Sequence, residues 1–258
     1  MDATQPRTAP QSSFHTAVTS LKGKRVMVTG GTTGIGRAIA GLLASEEARV
    51  FTFGRHRMEL DDALAAIRSA GGEVEGTVAD IASARDIAAA FTASDRFLGG
   101  LDILVNNAGV SVDGLADMAE AEWRYGLEVD LAGQLACTME AVTRMPKAGG
   151  HVVFVGSVSA DTRGANSSVY VAAKAGLQAF AESFRKEVAR RHVKVTLIQP
   201  GTVGTNMHET HPAGQRGEIA KEEILRAEDI AVAVHYVLTQ PSRTVVDRLD
   251  ITPLMQTD

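Results

Sequence analysis

The chain has 258 residues, with 26 Lys and Arg against 31 Asp and Glu, a formal charge of −5. That acidic balance argues against a nucleic-acid partner, which calls for a basic excess. The lone cysteine, Cys137, excludes an internal disulfide framework and a Cys-rich zinc site. No apolar run reaches the roughly 18 residues of a membrane span. The first twenty residues also lack the basic-then-apolar layout of a secretory signal. The expectation is a cytoplasmic protein with no membrane partner.

Residues 1–20 are rich in Thr, Ser, Pro and Gln and carry no periodicity. They predict a flexible tail, with an arm on another subunit as the alternative. From Leu21 the pattern alternates. Short apolar, β-branched runs lie at 25–29, 49–53, 73–79, 101–105, 151–155, 193–198 and 248–252. Between them, a helical period runs through 35–46, 57–69, 84–98, 117–145, 168–191 and 228–239. Alternating strands and helices predict βαβ units and a parallel sheet. The nearly continuous apolar character of the strands points to helices on both faces. No repeat or linker interrupts residues 21–258. The expected fold class is α/β, a doubly wound parallel sheet of about seven strands in a single domain.

The first strand runs into TGGTTGIG, residues 29–36, and a helical pattern follows at once. Gly30, Gly34 and Gly36 allow a tight turn and a close approach of backbone to a pyrophosphate, with Thr32, Thr33 and Ile35 between them. The helix start offers N–H groups and a positive dipole end. A turn that binds nothing is the alternative, and the strand before and helix after favour a dinucleotide. The second strand ends at Gly54-Arg55-His56-Arg57. In a dinucleotide fold this point lies near the adenosine ribose. No acid is present to take the 2′-hydroxyl. A guanidinium there suits a 2′-phosphate. The reading is NADP(H) over NAD(H), with Arg55 first and His56 and Arg57 supporting. Asp80 follows the third strand, with Ile81 after it. It is poised either to act indirectly at the next helix start, Ser83, or to accept from an adenine amino group.

Ser157 stands at the carboxyl end of the fifth strand, the edge where open α/β sheets bind ligands. Tyr170 and Lys174, in YVAAK, are one helical turn apart on one face. Carbonyl reduction by hydride leaves an alkoxide that must gain a proton. A phenol can supply it when a neighbouring ammonium stabilises the phenolate. Ser157 can donate a hydrogen bond to the substrate oxygen. A lone Tyr-xxx-Lys would read as a solvated helix face. Together with Ser157 and the glycine loop, it reads as catalytic.

With these motifs in order, the chain resembles the short-chain dehydrogenase/reductase family, in its compact branch with a T-G-x-x-x-G-x-G loop. The resemblance spans residues 21 to about 252 and includes Asp80, NNAG at 106–109 and PGTVGT at 200–205. It implies a Rossmann-type sheet. It also implies Tyr170 as acid/base, Lys174 lowering the barrier to phenolate formation and binding ribose, and Ser157 orienting substrate. Asp80 would meet adenine. Asn106, Asn107, Ala108 and Gly109 would steady the sheet near the adenosine. Pro200, Gly201, Val203 and Thr205 would line the nicotinamide, and Pro-Gly after a strand is itself a turn with exposed backbone groups. One departure concerns the catalytic tetrad. Where the family has Asn, LEVDLAG puts Asp130, which keeps an acceptor and loses the amide donor. The other is the ending DRLDITPLMQTD, unlike the Gly-rich ending of many 3-oxoacyl-carrier-protein reductases.

Residues 206–223 are expected to form a substrate lid, with Met207, His208 and His211 as solvated or apolar contacts and no metal. Val158, Ser159 and Asn166 are expected to face the pocket. Small residues such as Ala132, Ala136, Ala172 and Gly176 on two long helices suit either packing on the sheet or a homotetramer, with a dimer as second choice. The leading function is interconversion of a small-molecule ketone and alcohol with NADP(H). The rivals are a cofactor-binding regulator without turnover and a nucleotide-sugar epimerase. The epimerase would need a longer chain and a different glycine spacing.

Overall fold

A computed structural model describes residues 16–205 and 212–256. Seven parallel strands form one sheet: β1 (Arg25–Thr29), β2 (Arg49–Gly54), β3 (Glu73–Val78), β4 (Ile103–Asn106), β5 (Gly150–Val155), β6 (Val193–Pro200) and β7 (Arg248–Ile251). The spatial order is β3-β2-β1-β4-β5-β6-β7. The order reverses between β1 and β4, which pair Val26 with Ile103. A crevice opens beyond the strand ends at such a reversal.

The first three helices are α1 (Gly34–Ser45), α2 (Arg57–Ser69) and α3 (Ala84–Leu98). After β4 come α4 (Glu120–Leu127), α5 (Gly133–Arg144), the short α6 (Ser159–Thr162) and α7 (Ser168–Val188). Then follow α8 (Pro212–Ala220) and α9 (Ala227–Leu238). The alternation of side chains along β1 divides the core. Val26 and Val28 pack with Ile39 and Leu43 of α1, Leu60 of α2 and Ile230 of α9. Met27 packs on the other face with Phe91 of α3, Cys137 of α5 and Leu177 of α7. This is the helix-covered parallel sheet that the apolar strands predicted. The edge strands are the exception. Glu73 and Glu75 on β3 and Arg248 and Asp250 on β7 are exposed, because only one neighbour covers them.

The periodic stretch 117–145 is not one helix. A short 3₁₀ turn at Leu115–Asp117 precedes α4, and a five-residue π turn, Glu128–Ala132, separates α4 from α5. A π turn keeps the chain helical but admits one more residue, so the apolar spacing does not reveal it. Gly133 lets the turn sit down on the β3–α3 loop: a Cβ there would lie 2.3 Å from the Ile81 carbonyl oxygen. Asp130 points inward from this turn and is fully buried.

Residues 16–20, read as part of a tail, lie against the end of α9. Thr19 N–H donates to Thr239 O at 2.9 Å, and Thr19 Oγ1 donates to Gln240 O at 2.6 Å. The rest of that stretch lies outside the described residues. So do Met207, His208 and His211 of the expected lid, whose later part contains α8.

Candidate active site

The glycine loop is held from both sides. Thr52 Oγ1 on β2 donates to Val28 O at 2.7 Å and accepts from Gly31 N at 3.0 Å. Asn107 Nδ2 donates to the carbonyls of Thr29 and Gly30 at 3.0 and 3.2 Å. Thr29 Oγ1 accepts from the backbone N–H groups of Asn107 and Ala108. Gly36 could be nothing larger, since a Cβ would lie 2.2 Å from Gly30 O. Gly30 and Gly34 take φ of +67° and +51°, which glycine adopts without a steric penalty. No side chain caps α1 at Thr33, and its first turn holds no acid. Its N-terminal N–H groups and dipole are left for an anion.

One cleft of about 560 Å³ runs along the strand ends from Arg55, His56 and Asp80 to Ser157, Tyr170 and Lys174. That volume suits a ligand of cofactor size. The predicted loop residues Thr32, Thr33, Ile35 and Gly36 line it, as do Ile81, Asn107, Ala108 and Gly109. Pro200, Gly201, Val203 and Thr205 line the far wall. The backbone cradle, the uncapped helix start and the cationic end at Arg55 together fit a phosphorylated dinucleotide.

Two expectations change. Arg57 turns away to pair with Asp61 at 3.6 Å along α2, a short-range helical ion pair. Asn166, expected in the pocket, is exposed on the loop before α7 with φ of +64° and backs Gly114. Val158 and Ser159 do line the cleft. At the start of α3 Ser83 itself is the cap, accepting from Asp86 N at 3.2 Å. Asp80 Oδ1 instead accepts from Ala82 N at 2.9 Å, and its carboxylate faces the cleft.

At the other end of the cleft, Ser157 is buried, and its Oγ accepts from Ser159 N at 3.1 Å. The segment after it is tied down through Asp161, which accepts from Gln199 Nε2 at 3.0 Å and from Arg248 of β7. Lys174 Nζ lies 5.4 Å from the centroid of the Tyr170 ring. It also lies 3.3 Å from Asp130 Oδ1, behind the cleft wall. Asp130 Oδ1 accepts from Val110 N at 3.3 Å, while Oδ2 is buried without a hydrogen-bond partner among the described residues. Burial pushes the Asp130 carboxyl up against the pull of Lys174. Burial lowers Lys174, but the Asp130 carboxylate and Tyr170 together outweigh it and hold the ammonium above the usual lysine range, so Lys174 is charged. Gly109 has no side chain because a Cβ would meet Asp130 Oδ1 at 2.8 Å.

Two cleft residues carry no sequence signal. Tyr125 reaches the Arg55 end of the cleft from α4. Gln256, near the C-terminus, accepts from Thr202 N at 3.1 Å through Oε1, beside the Pro200–Gly201 turn. Among the described residues, no three His, Cys, Asp or Glu side chains gather as a metal site would, and no helix is long and apolar enough to cross a membrane.

Comparison with known proteins agrees with this geometry. A family model described as short chain dehydrogenase matches residues 24–216. An uncharacterised oxidoreductase of Staphylococcus aureus strain MRSA252 is 32% identical over 92% of this chain and 100% of its own. A short chain dehydrogenase from Burkholderia cenocepacia J2315, solved in complex with NADP, superposes with a TM-score of 0.81. It is 30% identical, over 91% of this chain and 98% of its own. A variant of actinorhodin polyketide ketoreductase solved with NADPH gives a TM-score of 0.82 at 26% identity, covering 90% and 96%.

Proposed function

Because the chain belongs to the short-chain dehydrogenase family, we propose that it interconverts a ketone and a secondary alcohol with NADP(H). The observation that carries this reading is the cleft joining the cationic Arg55 end to Ser157, Tyr170 and Lys174. The NADP and NADPH complexes of similar structures support the cofactor.

When bound, the cofactor supplies or accepts the hydride. The chain's own residues handle the proton. Ser157 Oγ accepts from Ser159 N–H, which leaves its own O–H to donate to the substrate oxygen as charge develops there. The Tyr170 phenol gives its proton to that oxygen in reduction and takes one back in oxidation. The buried charge of Lys174 stabilises the phenolate. Asp130 keeps that charge in place. A homotetramer in the cytoplasm is part of the proposal. Met139 of α5 is 65% exposed and free for such a contact, whereas Gly176 of α7 packs on Leu131 of its own chain.

A second reading, a cofactor-binding regulator, is favoured by the same Asp130, whose carboxylate offsets the Lys174 charge. Fluorescence titration with NADPH and NADH, followed by a ketone panel read at the reduced-cofactor absorbance, separates the two. The enzyme reading expects tight NADPH binding, and turnover that falls at least about 100-fold in Tyr170→Phe with binding retained. Binding without turnover on any ketone selects the regulator. Undiminished turnover in Tyr170→Phe removes the phenol from the mechanism.

A further inference from the structure

We propose that Tyr125 is a specificity-determining positioning residue, which presents the Arg55 guanidinium to a 2′-phosphate. The proposal rests on the NADP(H) reading of the cleft.

Arg55 sits on the exposed turn after β2. A long side chain in that setting ordinarily samples many rotamers and loses that freedom when it binds. Here it does not stand alone. Tyr125, half-buried on α4 and 70 positions further along the chain, meets it across the adenosine end of the cleft. The guanidinium carbon lies 5.4 Å from the Tyr125 ring centroid, within range of a cation–π contact. Arg55 Nη1 donates to the Tyr125 hydroxyl at 2.5 Å. That hydroxyl donates in turn to the Asp80 carboxylate, at 3.0 Å to Oδ2 and 3.2 Å to Oδ1. Asp80 is itself anchored by Ala82 N.

The direction of these bonds matters. A phenol has one proton, and Asp80 takes it, so the oxygen turns its lone pairs to Arg55. Burial and the Asp80 bond both raise the Tyr125 phenol, which keeps it a neutral donor. The phenol engages one of the five guanidinium N–H groups. The rest of the fork is held at the cleft edge, where a phosphate can take two parallel bonds. The same phenol stands between Asp80 and Arg55. It occupies the carboxylate with a neutral donor and spares Arg55 from pairing with it directly, which would use up the fork. The chain Arg55–Tyr125–Asp80 thus leaves most of the Arg55 fork open to a 2′-phosphate although a carboxylate stands nearby.

The test uses fragments that lack the nicotinamide. Adenosine 2′,5′-bisphosphate and 5′-AMP are expected to occupy the same end of the cleft, and they differ only in the 2′-phosphate. Calorimetric titration of the full chain, as wild type, Tyr125→Phe, Tyr125→Leu and Arg55→Ala, gives the preference for the first over the second. Wild type is expected to prefer the 2′-phosphate, and Arg55→Ala to abolish the preference. Tyr125→Phe is expected to reduce it about 3–10-fold, the scale of one hydrogen bond, by weakening the 2′-phosphate ligand alone. Tyr125→Leu, which also lacks the ring, should reduce it further. An unchanged preference in Tyr125→Phe, with Arg55→Ala still collapsing it, overturns the role of Tyr125 and leaves the NADP(H) reading intact. Equal weakening of both ligands in Tyr125→Phe would mean a structural role only and overturns it too. A wild type that shows no preference defeats the NADP(H) reading, and this proposal with it.

Discussion

Lys174 Nζ lies 3.3 Å from Asp130 Oδ1, and both side chains are shut off from solvent. The pair forms because the π turn at Glu128–Ala132 swings Asp130 under α7. Lys174 therefore works with a counter-ion already at hand, and its field on Tyr170 is partly offset. Replacing Asp130 by Asn removes the counter-charge but keeps an oxygen acceptor.

Asp130→Asn should retain or increase turnover at neutral pH. The pH at which alcohol oxidation reaches half its maximum should move down as long as Lys174 keeps its proton, because a Lys174 without its counter-charge favours the phenolate. Stability should drop at the same time, by up to about 3–5 kcal/mol if the lysine finds no other partner. A pH–rate profile and a thermal melt of the same variant check both. Complete loss of turnover in a folded variant would falsify this account and give the carboxylate a role of its own.

His151 on β5 makes a separate prediction about acid stability. Thr196 Oγ1 spends its proton on Val246 O at 2.6 Å, so His151 Nε2 must donate to Thr196 Oγ1 at 2.8 Å. Burial, helped by nearby Lys194, lowers the ring to about 3 and so keeps it neutral. The unfolded ring binds a proton near pH 6.5 and the folded ring does not. Its contribution is therefore complete above about pH 6.5 and is lost as pH falls toward 3. Between pH 7 and 5 this amounts to about 2 kcal/mol. Urea unfolding at the two pH values should show that loss in wild type and a smaller one in His151→Gln. Equal losses would mean that other groups carry the acid sensitivity.

Gln256 ties the chain's end to the Gly201–Thr202 turn through Thr202 N. Met255 N–H donates to Glu222 O at 3.2 Å and holds the same segment against the chain that follows α8. In Gln256→Ala the turn loses one bond, worth about 0.5–1.5 kcal/mol. KM for NADPH should rise roughly 2–10-fold while kcat changes little, since the proton-transfer residues are untouched. Steady-state kinetics on purified protein decide this, and an unaltered KM would leave Gln256 a bystander.

The local motifs of the candidate site were legible in its residues. TGGTTGIG between a strand and a helix, Ser157 at a strand end and Tyr170 one turn before Lys174 each depend on neighbours in the chain. Their place along one cleft follows from the strand order. The spans of α2 and α3 were legible as well, because a helix and its caps are local. Tertiary structure alone decided the rest. The π turn leaves the helical period unbroken, so only its packing on Ile81 and the inward turn of Asp130 reveal it. Arg57 and Asn166 were drawn to the site by their position in the chain, and a helical ion pair and a left-handed turn took them out of it. Tyr125 and Gln256 came in from 70 and 54 positions away from their partners Arg55 and Thr202. A hydrogen bond between residues so far apart leaves no spacing in the sequence, because it is the folded sheet that brings their helices and loops together.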